Sequence, residues 1–241
     1  MKKIEVITIF PEMVSDYAKI SIIARAIKQK LISLRGINLR DFTNDEHQTV
    51  DGRPYGGGFG MVLRADIMQK AIAKIAGATK AARKKKGTQV IMLSPQGKKF
   101  TQSDVKKLSK HKHLVFVCGR YEGFDERISA MVDQEYSIGD YILMGGELAA
   151  LVMIESIARN YPGVVGKFES TIKESFGGDN LFLEHPQYTR PETLKVNGKN
   201  LKVPKVLLSG NHANIEKWRE TESLKRTTKR RPDLLPKETG K

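Results

Sequence analysis

Apolar runs that alternate with helical periodicity are the feature that most constrains how this 241-residue chain can fold. The runs predict strands at Lys3–Phe10, Leu34–Arg40, Thr88–Leu93 and Leu114–Cys118. Helical patterns lie between or after them, at Pro11–Lys30, Ala65–Ala76, Ser103–Lys110 and Glu147–Asn160. This alternation is typical of an α/β fold with a mostly parallel sheet, and that is the fold class we predict.

Composition disfavours several classes of protein. No apolar run is long enough to span a membrane, so we expect no membrane partner and a cytoplasmic location. The opening MKKIEVITIF ends at Pro11-Glu12 without a small-residue cleavage site, which favours a buried first strand over a signal peptide. Cys118 is the single cysteine and lies in the apolar run LVFVCG, so we expect a buried thiol and no disulfide within the chain.

The formal net charge of +15, from 42 basic and 27 acidic residues, favours a polyanionic partner. Five of the seven residues in Lys80–Lys86 are basic, and Lys217–Lys241 holds nine basic and four acidic residues with Trp218 near its start. Basic side chains beside an aromatic ring suit an RNA backbone and unstacked bases. A solvated charged surface is the alternative for both segments.

The regular hydrophobic pattern of the sequence ends after Tyr161. Residues 162–180 combine proline and glycines with no clean period, which is typical of a linker or a long loop. The segment that follows is rich in basic residues and prolines, with a helical pattern near Ala213–Lys225. We therefore predict a first domain at 1–161, a flexible linker at 162–180 and a small, mainly helical C-terminal domain at 181–241.

Three glycine-bearing loops are candidates for a ligand site: Asp51–Met61, Cys118–Gly123 and Ile138–Glu147. Glycine lets the backbone approach a ligand closely, although for Gly56–Gly58 a simple turn is an equal alternative. None of the loops has the spacing of a dinucleotide or phosphate loop, which leaves a nucleoside triphosphate site unsupported. The histidines lack zinc-site spacings, so we predict no metal cluster, and His111 and His113 are expected to face solvent.

Seven motifs occur in order over nearly the whole chain. They are RPYGGG (53–58), LSPQG (93–97), CGRYEGFDER (118–127), SIGDYIL-GGEL (137–148), YPGVVG (161–166), YTRPE (188–192) and LLSGNHANI-KWR (207–219). Together they resemble the bacterial tRNA (guanosine(37)-N1)-methyltransferase family of the SPOUT superfamily. The resemblance implies a deep trefoil knot in the N-terminal domain and S-adenosyl-L-methionine as methyl donor. It also implies a homodimer with active sites at the subunit interface, a C-terminal domain that holds the anticodon stem-loop of tRNA, and activity supported by Mg²⁺.

The resemblance assigns the cofactor to residues of the glycine loops and of LSPQG. These are Ser94, Pro95, Gly119, Tyr121, Glu122, Gly123, Ser137, Ile138, Gly139, Asp140, Tyr141, Ile142, Leu143, Gly145 and Gly146. Ile138 and Leu143 would form part of an apolar slot for adenine, with ordinary core packing as the alternative. Glu122 would be a guanine-facing or metal-linked carboxylate, or instead an ion-pair partner of Arg120 or Arg127. Met144 stands where a small hydroxyl residue is common.

Two residues would carry the chemistry by this resemblance. Glu174 would remove the proton from guanine N1, and Arg159 would stabilise charge that moves onto O6. The family usually carries an aspartate at the position of Glu174, whose side chain is one methylene longer, and Glu169 is an alternative base. Arg159 could instead pair with Glu155, one helical turn earlier.

The resemblance also assigns RNA contacts to two sets of residues. The loop that faces the target nucleotide would use Asp51, Arg53, Tyr55, Gly56 and Gly57. The C-terminal contacts with tRNA would be Ser209, Asn211, His212, Arg226, Arg230 and Arg231. The predicted function is transfer of a methyl group to N1 of guanosine 37 in tRNA. The alternatives are a catalytically impaired RNA-binding homologue and a SPOUT methyltransferase that acts on another RNA.

Overall fold

The structure, a computed structural model, describes residues 1–166, 174–177 and 181–236. The chain divides into two compact units, Met1–Phe168 and Glu169–Lys241. The strands of the first unit are β1 (Lys2–Thr8), β2 (Ile32–Asn38), β3 (Asp51–Gly52), β4 (Val62–Leu63), β5 (Thr88–Lys99), β6 (His113–Cys118) and β7 (Gln134–Ser137). Its helices are α1 (Pro11–Tyr17), α2 (Ser21–Lys28), α3 (Ala65–Ile75), α4 (Lys80–Lys86), α5 (Gln102–Leu108) and α6 (Glu147–Ala158).

A five-stranded sheet in the order β2-β1-β6-β5-β7 organises the first unit, and its neighbouring strands pair in parallel. Alternate residues of each strand point to opposite faces, so a strand covered on both sides contributes to two cores. Ile4, Leu114 and Phe116 pack in one core with helices α1, α2, α5 and α6, whereas Ile7 and Val115 pack in the other with α3. The predicted α/β class with a parallel sheet is confirmed.

The prediction of one helix over Pro11–Lys30 is wrong, because the structure has two helices there. Helix α1 ends at Tyr17 and α2 begins at Ser21, whose backbone φ of 56° lies in the left-handed region. No glycine or proline marks this break, so neither composition nor periodicity could reveal it. The other predicted elements begin and end within about three residues of the predicted bounds, with two exceptions. Strand β5 extends to Lys99, and the helix predicted near Ala213–Lys225 extends to Arg230.

The segment Lys80–Lys86, in which the sequence shows a run of basic residues, forms helix α4. The hydroxyl of Thr79 accepts a hydrogen bond from the backbone N–H of Ala82, and Gly87 ends the helix with a φ of 64°. A solvated surface is the wrong description for Arg83, which is 2 % exposed. Its guanidinium donates two hydrogen bonds to the carboxylate of Asp133 and others to the carbonyls of Gly77 and Met131.

The prediction that His113 faces solvent is wrong. Its Nε2 lies 2.9 Å from a carboxylate oxygen of Glu5, and its Nδ1 lies 3.3 Å from the hydroxyl of Thr88. The side chain of Glu5 is buried beneath Lys3, Arg35 and His113. Burial of a carboxylate is costly unless charged and hydrogen-bonding partners surround it, as they do here.

The second unit contains the hairpin of β8 (Thr193–Val196) and β9 (Lys199–Lys202), a short helix α7 (Lys205–Leu208) and the long helix α8 (His212–Arg230). The side chain of Thr227 on α8 is buried and accepts a hydrogen bond from the backbone N–H of Leu183. Among the described residues of the whole chain, no helix is both long and apolar enough to cross a bilayer.

Candidate active site

A cleft of about 530 Å³ lies at the carboxyl ends of three neighbouring strands. Within β5, the regular pairing with β7 is interrupted after Leu93, and Ser94–Gly97 lie in the register shift that ends at Lys98. The strand β6 leads into Gly119–Gly123 and β7 into Ile138–Gly146. Loops at this edge of a parallel sheet are the usual location of ligand sites in α/β proteins, and the volume is that of a pocket for a small molecule.

The cleft brings together all the residues assigned above to the cofactor except Asp140. Eleven residues without a predicted role at the cofactor also line it, namely Met92, Leu93, Gln96, Arg120, Phe124, Asp125, Glu126, Ser129, Tyr136, Met144 and Ala149. Most of these residues are neighbours in the sequence of the glycine loops or of LSPQG, and that position could have indicated that they line the cleft. The carboxylates of Glu122, Asp125 and Glu126 give one part of the lining an acidic character.

The two loops that follow β6 and β7 contact each other directly. The backbone N–H of Gly146 donates to the carbonyl of Gly119 over 2.9 Å. A Cβ atom at position 146 would lie 2.9 Å from the Cα of Cys118, closer than side chains approach a backbone. Glycine at this position therefore lets the start of α6 pass against the end of β6, which explains part of the GGEL motif.

A buried ion pair fixes this junction. Glu147, the first residue of α6, is 1 % exposed and accepts a hydrogen bond of 2.6 Å from the hydroxyl of Thr8. Its second oxygen lies 2.9 Å from Nε of Arg120, whose guanidinium also stacks over the ring of Phe10 at 4.5 Å. The network thus ties the end of β1 and both cleft loops together.

This network changes the interpretation of Glu122. The alternative in which Glu122 pairs with Arg120 or Arg127 is wrong, because Arg120 pairs with Glu147 and Arg127 pairs with Asp125 over 2.6 Å. Glu122 instead contacts the loop Asp51–Met61. Its backbone N–H donates to the carbonyl of Met61 over 2.9 Å, and a Cβ atom at Gly60 would lie 2.4 Å from its Cγ.

The loop Asp51–Met61 and the loop after β6 are therefore neighbours. The backbone N–H of Leu63 donates to the carbonyl of Gly123 over 3.0 Å, which continues the contact beyond Glu122. Tyr55 and Phe59 are fully exposed, and Gly56–Gly58 have φ angles of 83°, 79° and 126° that other residues rarely adopt. The structure thus joins the loop assigned to the target nucleotide to the loop assigned to the cofactor.

Electrostatics and strain distinguish three positions near the cleft. Hydrogen bonds from the Arg127 guanidinium lower the pKa of Asp125 to about 2, so this carboxylate is ionised at neutral pH. Burial raises the pKa of the Cys118 thiol, and the negative charge of Glu147 adds to the effect. Tyr121 has a positive φ of 60°, an uncommon conformation for a non-glycine residue and one that clusters at functional sites.

The two residues assigned to catalysis belong to different units of the chain. Arg159 follows the last turn of α6, where its backbone N–H donates to the carbonyl of Glu155, and the Glu155 carboxylate accepts a hydrogen bond from the Tyr17 hydroxyl. Glu174 is half-buried in the second unit, and its carbonyl accepts a hydrogen bond of 2.8 Å from Gly177. The alternative base, Glu169, lies outside the described residues.

The six C-terminal residues assigned to tRNA do not form one patch. Ser209, Asn211 and His212 lie at the start of α8, where the side chain of Asn211 caps the helix. Arg226, Arg230 and Arg231 lie at its other end. At about 1.5 Å per residue the two groups are about 20 Å apart. Arg231 pairs with Asp233 over 2.7 Å and lies over the ring of Phe176.

Within residues 1–166, 174–177 and 181–236, no three histidine, cysteine or acidic side chains converge as metal ligands would.

Comparisons with known proteins agree on one family. A family model described as "tRNA (Guanine-1)-methyltransferase TrmD" matches residues 1–237. A protein of Shewanella sediminis named tRNA (guanine-N(1)-)-methyltransferase is 51 % identical over 97 % of this chain and 92 % of its own length. Proteins with the same name from Actinobacillus succinogenes and Dictyoglomus turgidum are 49 % and 45 % identical, over 97 % and 98 % of this chain and 91 % of their own lengths.

Proposed function

The chain belongs to the tRNA (guanine-1)-methyltransferase family, and from that premise we propose that it transfers a methyl group from S-adenosyl-L-methionine to N1 of guanosine 37, next to the anticodon of tRNA. The observation that carries the proposal is the shared boundary between the cleft and the loop Asp51–Met61. A ligand in the cleft and a base held by that loop would meet at Glu122.

The residues of the cleft fit the cofactor in size and chemistry. Ile138 and Leu143 offer an apolar wall, while the backbone of the three loops offers donors and acceptors for the edge of an adenine. The carboxylates of Glu122, Asp125 and Glu126 suit a ligand that carries positive charge. The cofactor, when bound, supplies a methyl group attached to a sulfonium, which is electrophilic without further activation.

The protein must therefore activate the nucleophile rather than the donor. Guanine N1 carries a proton, and we assign its removal to the carboxylate of Glu174. Negative charge then moves onto guanine O6, where the guanidinium of Arg159 would stabilise it, since arginine stays protonated and donates from a planar fork. Glu169 stays an alternative base, and the Glu155 pairing stays an alternative role for Arg159.

A homodimer and a trefoil knot belong to the same proposal. The exposed face of α6 carries Leu148 and Val152, which are 54 % and 52 % exposed and lie one turn apart, so a second copy could cover them. The knot rests on the family resemblance. We keep the division into a cofactor domain at 1–161, a linker at 162–180 and a tRNA-binding domain at 181–241, and a cytoplasmic location.

Mg²⁺ is proposed as an activator without an assigned site. The described side chains provide no cluster of ligands for it, so no step of the reaction is assigned to a protein-bound ion. Titration of activity with a chelator, and recovery with Mg²⁺, would measure the requirement.

Methyl transfer by the purified protein tests the function. The substrate is an unmodified tRNA transcript with guanosine at positions 36 and 37, and the control transcript carries adenosine at 37. We expect 1-methylguanosine from the first transcript and no product from the second. Binding of tRNA without transfer would favour a catalytically impaired homologue, while methylation of another RNA would favour a different substrate.

Mixed dimers test the shared site. A dimer of one Arg159→Ala chain and one Glu174→Ala chain should retain one working site if the two residues act from opposite subunits. Each homodimer of a single variant should be inactive, and inactivity of the purified mixed dimer as well would contradict this arrangement.

A further inference from the structure

The edge of the sheet opposite the cleft carries a cluster of lysines. Helix α4 ends at Lys86 just before β5 begins, and Lys110 and Lys112 lie just before β6 begins. All five residues of the cluster, which we name the amino-edge cluster, are exposed: Lys84, Lys85, Lys86, Lys110 and Lys112. Strand β6 has six residues, so at about 3.3 Å per residue its two ends are about 17 Å apart. The amino-edge cluster is therefore separate from the cleft.

Backbone contacts hold the two parts of the cluster together. The carbonyl of Gly87 accepts hydrogen bonds from the N–H groups of Lys112, over 3.1 Å, and His113, over 3.3 Å. A Cβ atom at Gly87 would lie 3.7 Å from the Cβ of Lys112, so the end of α4 touches the side chain of Lys112. The lysines of α4 and those of the turn before β6 consequently share one surface.

Two acidic groups near this edge of the sheet already have partners. Glu5 is buried among Lys3, Arg35 and His113. Asp133 accepts hydrogen bonds from Arg83 and from the backbone N–H of Val90. Across the described ranges, none of the five lysines forms an ion pair with an acidic side chain.

Like charges are also crowded beneath the cluster. The ammonium group of Lys2 donates to the carbonyls of Ser109, Lys110 and His111. Burial and the neighbouring charge of Lys112 both lower the pKa of Lys2. A fold that concentrates unpaired positive charge in this way has a surface potential that a polyanion would neutralise.

We propose that the amino-edge cluster is a second RNA-binding surface, which contacts phosphates of the RNA backbone away from the cleft. The five side chains are all lysines, which act as point charges. An arginine could read a base through a forked contact, but the cluster contains none, so the surface would bind without sequence preference. The segments Lys84–Lys86 and Lys110–Lys112 carry no large apolar side chain, which disfavours insertion into a membrane. The inference goes beyond the proposed methyl transfer and does not depend on it.

The salt dependence of RNA binding tests this surface. The variant Lys84→Gln/Lys85→Gln/Lys112→Gln is compared with the wild-type protein in full-length form, using the same tRNA transcript. Each neutralised phosphate contributes about 0.7–0.9 to the slope of log affinity against log salt, so loss of three contacts should reduce the slope by about 2–3. Between about 50 and 200 mM salt, the wild-type dissociation constant should rise about 20- to 40-fold more than that of the variant.

A charge-preserving variant, Lys84→Arg/Lys85→Arg/Lys112→Arg, is the matched control and should keep the wild-type slope. Methyl transfer at saturating RNA should be unchanged in both variants, because the cluster lies outside the cleft. The inference would be overturned if the glutamine variant kept the wild-type slope. It would also be overturned if that variant lost salt-dependent binding to vesicles of anionic lipid while its RNA binding stayed intact. Absence of methyl transfer in the wild-type protein would refute the proposed function and leave the slope comparison unaffected.

Discussion

Replacement of Glu147 by alanine should both destabilise the first unit and weaken the cleft. The carboxylate is almost fully buried, and it joins the hydroxyl of Thr8 to the guanidinium of Arg120. In the Glu147→Ala variant, Arg120 would keep its charge beside Gly145 without a counter-charge. The loop after β6 would then lose its ion pair with the start of α6.

The expected cost follows from the burial of the two partners. Removal of one member of a buried ion pair typically costs 3–5 kcal/mol, because the other charge is left uncompensated. The side chain of Arg120 is 20 % exposed, so water reaches it and the low end of that range applies, about 3 kcal/mol. Glu147→Gln keeps an acceptor for Thr8 but loses the charge, and should cost about half as much.

The sequence offers a separate probe for each unit. Cys118 is the single cysteine and lies in the core of the first unit, while Trp218 is the single tryptophan and lies on α8 of the second. Urea unfolding is followed by thiol labelling of Cys118 and by fluorescence of Trp218. Calorimetry with S-adenosyl-L-methionine measures the effect on the cleft, and Thr8→Val serves as a milder variant that leaves the ion pair in place.

We expect the free energy of unfolding reported by Cys118 to fall by about 3 kcal/mol in Glu147→Ala, with a smaller change in the Trp218 signal. Cofactor affinity should fall in the order wild type, Thr8→Val, Glu147→Gln, Glu147→Ala. A loss below about 1 kcal/mol at Cys118 would show that the pair is no more than a surface-type interaction and would refute the reasoning.

Three further predictions concern single side chains. Burial opposes ionisation of Glu5, but hydrogen bonds from His113 and Lys3 outweigh it and lower its pKa to about 2, from an ordinary value of 4.5. Its ionised form therefore stabilises the fold above pH 4.5. As the pH falls from 4.5 towards 2, the difference in the free energy of unfolding between wild type and Glu5→Gln should shrink by up to about 3 kcal/mol. Urea unfolding measures this difference. The buried, high-pKa thiol of Cys118 should react with a disulfide reagent only through unfolding, so labelling at a rate like that of free cysteine would contradict its burial. Gly146→Ala should reduce cofactor affinity at least tenfold in calorimetry, because the added Cβ would push α6 away from Cys118, and unchanged affinity would show that the junction can open without cost.

The sequence by itself determined the layered α/β architecture of the first unit. Strand β6 is apolar from Leu114 to Cys118 because the sheet is covered on both faces, and such a run is visible without any tertiary information. The glycines in the loops after β6 and β7 marked a candidate ligand site, and that ligand contact stays a prediction. The contact between the backbones of Gly146 and Gly119 is a finding of the structure. The ordered motifs indicated the family that the comparisons then showed.

Only the tertiary structure decided which charged groups became partners. Arg120 lies beside Glu122 in the sequence, yet it pairs with Glu147, and Arg83 in a lysine-rich helix is buried against Asp133. The break between α1 and α2 and the short strand β7 were likewise invisible, because neither has a local signal of its own. The physical reason is common to all of them. A charge is stabilised, and a short segment ordered, by groups far away in the chain, and only the fold determines which of those groups come within a few ångströms.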